Sequence, residues 1–93
     1  IIDILLKEII YIESLGNYMK LYSTNLKLPI IIYGSLASIS TEIDSEDFIQ
    51  VHRSYIINTR EINSITYKSL TMSNAVIIPV GRKYQILLDG FFK

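Results

Sequence analysis

Turn-forming residues cut the apolar content of this chain into short runs, the longest extending only from Leu28 to Tyr33. Runs of that length make strands, and they are far too short to cross a bilayer as helices. Ile9 to Ile12 is rich in β-branched residues and predicts a buried strand, with a turn at Gly16-Asn17 beyond it. Tyr18 to Ser23 alternates, with Tyr18, Lys20 and Tyr22 on one face and Met19 and Leu21 on the other. After a turn at Asn25, Leu26 to Tyr33 predicts another strand, which Pro29 confines to an edge or a bulge. Phe48 to Val51 and Tyr55 to Asn58 predict two strands separated by His52-Arg53-Ser54. Ile62 to Tyr67 and Leu70 to Met72 follow, and Ser73-Asn74 turns the chain into Ala75 to Val80 as a hairpin. The pair Asn74-Ala75 stands where Asn-Gly is expected.

Helical spacing occurs twice. Leu36, Ile39 and Ile43 recur on one face, with Ser35 as N-cap, and the acidic cluster ends that helix. Tyr84, Leu87, Leu88 and Phe91 fit the i, i+3, i+4, i+7 pattern after Gly81. Many short strands and two short helices predict a mainly-β fold. Ninety-three residues make one domain, spanning 1–93. With no initiator Met and an apolar opening, the chain reads as a domain taken from a longer protein.

Composition weakens several function classes. Cysteine is absent, which removes thiolate and disulfide chemistry and fits a cytoplasmic protein. The single histidine excludes a multi-His metal site. The glycines at 16, 34, 81 and 90 are isolated, so no loop cradles a phosphate-bearing cofactor. Asp44, Glu46 and Asp47 sit in a polar connection and read as solvated charge, and no serine lies in a nucleophile-elbow pattern. No catalytic residue, metal or cofactor is therefore assigned. Nine basic residues balance nine acidic ones, which by sum argues against a nucleic-acid binder. The arrangement matters more. The acids cluster at Glu42, Asp44, Glu46 and Asp47, whereas bases stand at Lys20, at Arg53 and at Arg82-Lys83. Gathered on one face, those bases would make a positive patch on a neutral protein.

Three segments taken together resemble the LytTR family of bacterial DNA-binding domains: Ile10 to Tyr22 (IYIESLGNYMKLY), Phe48 to Asn58 (FIQVHRSYIIN) and Ile78 to Tyr84 (IPVGRKY). Their order and spacing match over nearly the whole chain. The resemblance implies an elongated array of short antiparallel strands in several small sheets, with DNA contacted by loops at one end. It implies a cytoplasmic transcriptional response regulator of a two-component system, with an upstream receiver domain. It also implies direct-repeat sites on double-stranded DNA occupied by two copies, a homodimer driven by the receiver. The base-contacting positions carry over to Arg53, Arg82 and Met19 or its neighbours Asn17 and Lys20. Methionine donates no hydrogen bond, so Met19 offers only an apolar contact, such as to a thymine methyl.

Around these positions the chemistry suggests supporting roles. Lys20 and Lys83, with Asn17, Ser54 and the backbone at Gly81, suit phosphate contacts. His52 suits a structural hydrogen bond at the sheet end, Glu13 a brace for a cation of the DNA face, and Asn58 a turn cap. The competing reading makes Arg53 and Arg82 ion-pair partners of the acidic cluster. Packing of Met19 in the core, beside Leu21, competes with its reading role. The alternative function is a β-rich protein-interaction module without DNA affinity, pairing through the edge at Leu28 to Tyr33.

Overall fold

The computed structural model describes residues 6–43, 46–66 and 68–91. The apolar opening at 1–5, Asp44 of the acidic cluster and Tyr67 at the end of a predicted strand lie outside them. So do the side chains of Leu87 and Phe91.

The described residues form strands β1 (Ile9–Leu15), β2 (Tyr18–Ser23) and β3 (Ile30–Tyr33), then helix α1 (Leu36–Glu42). Strands β4 (Phe48–His52), β5 (Tyr55–Asn58), β6 (Ile62–Ile65), β7 (Ser69–Met72) and β8 (Ile77–Pro79) follow, and helix α2 (Gln85–Phe91) closes the chain. Every pairing is antiparallel. One sheet has the order β3-β2-β1-β5-β4 and the other β6-β7-β8. The expected mainly-β fold with two short helices is therefore observed, in a body of 35 × 24 × 22 Å.

Strand β1 is central in its sheet, which is why its opening run is apolar on both faces. A register shift between Ile9 and Tyr11 is a bulge, and a bulge re-aims side chains. It lets Ile10 and Tyr11 serve one core while Ile9 and Ile12 serve the other. On one face Ile9, Ile12, Met19, Leu21 and Ile56 pack against Leu36, Ile39 and Ile43 around α1. On the other, Ile10, Tyr11, Val51 and Ile57 meet Leu70, Met72 and Ile78 of the second sheet, together with Leu88 of α2. The layers are helix, sheet, sheet. Each fully buried aliphatic side chain in them is worth about 1.5–3 kcal/mol relative to exposure.

The local signals act as the sequence predicts, although several strands are shorter than expected, among them β6, which ends at Ile65, and β8, confined to Ile77–Pro79. Ser35 caps α1: its Oγ accepts the Ser38 N–H at 3.2 Å, and the Ser35 N–H donates to Ser38 Oγ at 3.2 Å. Gly16 turns β1 into β2 with φ +77°, as the first central residue of a two-residue hairpin loop requires. The strand expected from Leu26 is confined to Ile30–Tyr33, with 24–28 an exposed loop. Pro29 has no N–H to give a ladder, so pairing starts after it, and β3 is an edge strand. The last helical segment also opens with a 3-10 turn at Arg82–Tyr84 before α2.

Candidate nucleic-acid interface

Strand order brings the three motif segments to one end of the five-stranded sheet. Glu13 of β1 lies opposite both Lys20 of β2 and Tyr55 of β5, and Tyr55 lies opposite His52 of β4. The β1–β2 turn at Gly16-Asn17 and the β4–β5 turn at Arg53-Ser54 are therefore neighbours. At the spacing of sheet strands their centres are roughly 10 Å apart. The third segment joins them because the Gly81 N–H donates to the Val51 carbonyl at 2.8 Å.

His52, Arg53, Gly81, Arg82, Lys83, Tyr84 and Ile86 line one concavity of about 620 Å³. Arg53 and Arg82 are both exposed. Lys83 is exposed too, with its Nζ 5.3 Å from the Tyr84 ring centroid. None of the described residues that line the concavity is acidic. Asp47 precedes β4 and so stands at the end of that strand remote from Arg53, roughly 15–20 Å away along the chain direction. Its carboxylate accepts from Arg60 Nε at 3.0 Å, so the ion pair forms at the far end and leaves the concavity positive. Zero net charge conceals a local excess of cations, with Arg53, Arg82 and Lys83 around one concavity.

The supporting residues take more definite places than their sequence positions suggest. Tyr55 Oη donates to Glu13 Oε2 at 2.9 Å, so Glu13 braces a tyrosine, with Lys20 as its cross-strand neighbour. The Ser54 N–H donates to His52 Nδ1 at 3.1 Å, and the Ser54 carbonyl accepts the Ser14 N–H at 2.8 Å. Asn17 is exposed in its turn, where its carbonyl accepts the Gly34 N–H. Asn58 is 1% exposed and sits at the opposite end of β5. Its Nδ2 donates to the Ile9 carbonyl at 2.9 Å and its Oδ1 accepts the Arg60 N–H at 3.0 Å, capping a turn.

Of the two fates that the sequence leaves open for Met19, the structure takes the core: the residue is 1% exposed and packs in the α1-side cluster, so no apolar reader stands there on the surface. Strand parity puts Met19 on one face with Leu21 and Lys20 on the other, and α1 covers the Met19 face. The N–H of Gly81 itself donates to the Val51 carbonyl and is not free to meet a phosphate. Glycine is needed there for close approach, since a Cβ would stand 2.9 Å from the Tyr84 ring.

Ile86, unassigned in the sequence reading, is 78% exposed on the rim of the concavity. An isoleucine off the apolar face of its own helix was the available signal. Tyr84 was visible as part of the third motif and as the first apolar position of the last helix. Among the described residues no group of His, Asp or Glu is arranged to hold a metal, and no described helix is long and apolar enough to cross a membrane.

A small antiparallel β domain that presents its cations on sheet-end turns is the class defined by this geometry. The chain belongs to the LytTR family, described as the LytTr DNA-binding domain, which matches residues 1–92. Among solved structures it is similar to a LytTr DNA-binding domain from Bacillus cereus, at 23% identity and a TM-score of 0.84. That likeness covers 98% of this chain and 86% of the other, and establishes the fold. No curated protein matches the chain.

Proposed function

We propose that this domain binds double-stranded DNA sequence-specifically and regulates transcription as the output part of a cytoplasmic response regulator. The observation that carries the reading is the gathering of Arg53, Arg82 and Lys83 around one concavity, remote from Asp47. Exposed arginines offer a planar, bidentate donor fork, and guanine presents the matching acceptors in the major groove. In this reading Arg53 and Arg82 read base edges. Lys20, Lys83, Asn17 and the Ser54 hydroxyl meet phosphates and set the register. The shared concavity of the two arginines supports a single groove for the pair, not two successive ones. The β1–β2 turn would then engage the adjacent backbone. Bending of the duplex would bring both turns into contact together. Two copies on a direct repeat, paired through an upstream receiver domain, complete the proposal.

Selection of bound duplexes from a random pool, followed by binding of variants to the selected site, tests it. Arg53→Ala and Arg82→Ala should each cost roughly 1–3 kcal/mol and relax preference at one base position. Affinity for random DNA should fall much less, because the phosphate contacts remain. If both variants hold the selected site as tightly as the parent, the assigned surface is wrong. The alternative, an interaction module, draws on the edge strand β3, where Ile31 and Tyr33 are exposed. It requires that no salt-sensitive DNA binding be found at all.

A further inference from the structure

The turn that carries Arg53 lacks the geometry that usually holds a two-residue hairpin. Such loops favour turns with positive φ at one or both central residues, because their twist matches that of the strands. Among the described non-glycine residues only Ala75 has positive φ, so Arg53 and Ser54 do not form such a turn. The strand before it is irregular as well, with a register shift between Gln50 and His52. An arginine at this tip needs another restraint to stand in one place.

From this geometry we infer that His52 is a positioning residue for Arg53, clamping the turn through the bond from the Ser54 N–H to its Nδ1. The inference rests on the DNA-binding reading above and deepens it. The bond closes over two residues at 3.1 Å and spans Arg53. It requires an unprotonated Nδ1, with the ring proton on Nε2. The ring is itself held. Tyr55 meets it edge-on with centroids 5.6 Å apart, and the Tyr55 hydroxyl is tied to Glu13 Oε2 at 2.9 Å. On the other side of the turn the Ser54 carbonyl is fixed by the Ser14 N–H. Arg53 is thus the one exposed residue between two anchored neighbours.

The same histidine also borders the Arg82 segment. A Cβ on Gly81 would stand 3.7 Å from His52 Cα, and both residues line the concavity with Arg53 and Arg82. Glu13, Tyr55 and His52 therefore link the centre of the sheet to the base-reading tip. None of them needs to touch DNA. Their effect is to spare the complex the entropy of ordering the Arg53 turn.

The test compares His52→Ala with His52→Asn on the selected site and on random DNA. An asparagine oxygen also accepts the N–H two residues on, as in an Asx turn. His52→Ala should weaken the selected site roughly two- to tenfold. It should also flatten preference at the base that Arg53 reads, and leave random DNA unchanged. His52→Asn should restore the preference. In an Arg53→Ala background the His52→Ala change should add nothing, since coupled residues do not add.

Three results would overturn the inference. They are His52→Asn binding as weakly as His52→Ala, equal losses on random DNA (the mark of a direct phosphate contact by the ring), and full additivity with Arg53→Ala. Amide exchange at Ser54 in the free domain is the control that does not depend on DNA. It should be slow in the parent and in His52→Asn, and fast in His52→Ala. If no sequence is selected from the pool, the DNA reading fails and the positioning role with it, while Ser54 exchange still reports whether the clamp exists.

Discussion

Met19 and Lys20 are neighbours whose side chains leave β2 in opposite directions, and that parity separates packing from recognition. Met19 lies in the core against α1, beside Leu21, with its Cε within 3.7 Å of where a Gly34 Cβ would be. Truncating it removes buried methylenes and leaves a cavity that the surrounding core fills only in part. Met19→Ala should therefore cost about 2–5 kcal/mol of stability, whereas Met19→Leu, which keeps the volume, should cost under about 1.5. Melting reads both. Binding measured where all three proteins are folded should be unchanged in affinity and base preference. An alanine variant that melts like the parent but loses a base preference would put Met19 on the DNA surface after all.

At the scale of elements, the β7–β8 hairpin carries a local conflict. The Ala75 N–H donates to the Met72 carbonyl at 2.9 Å, closing the turn, and Ala75 then adopts φ +69°. That is the left-handed position which glycine fills at no steric cost and alanine strains. The departure from Asn-Gly visible in the sequence thus has a structural consequence. Ala75→Gly should stabilise the domain by about 0.5–1 kcal/mol net of the extra freedom glycine brings to the unfolded chain. That corresponds to a rise in Tm of roughly 2–8 °C for a chain of this size. A fall in Tm on the same change would mean that the turn adopts another conformation in solution.

The whole molecule depends on a tyrosine cluster between its two sheets. Tyr11 is buried and stacked on Tyr22, with ring centroids 4.4 Å apart, and Tyr55 lies 6.2 Å from it. Burial first, then the neighbouring Tyr22 and Glu13, push the Tyr11 hydroxyl well above the usual tyrosine range. Burial and the hydrogen bond to Glu13 raise Tyr55 as well. A folded-state pKa raised above the unfolded value favours the protonated fold. The resulting stability is complete below the unfolded value of 10.0 and is lost as pH rises beyond it. Urea melts at about pH 8 and about pH 11 should show a marked loss at the higher value, more than the exposed tyrosines would produce. Tyr11→Phe should shrink that loss, and an undiminished loss in the variant would place its origin elsewhere.

Most of the fold could be read from the sequence because the relevant physics is local. Alternation set the faces of β2, apolar spacing and a serine cap set α1, and Pro29 marked the edge strand β3. Arg53 and Arg82 stood out because each adjoins a turn residue within a motif, and the structure places both beside one concavity. The sequence left Met19 open between two fates, since parity tells which residues share a face but not which face meets the core. Tertiary structure decided that by seating α1 over the Met19 side. It also joined Glu13 to Tyr55 across 42 residues of chain, put Gly81 against Val51, and drew Arg53, Arg82 and Lys83 to one concavity while Asp47 and Arg60 paired at the far end of β4. Those outcomes follow from the order β3-β2-β1-β5-β4, in which β5 lies beside β1. Pairings between strands so far apart in the chain depend on which surfaces bury each other best, and no local window of residues contains that comparison.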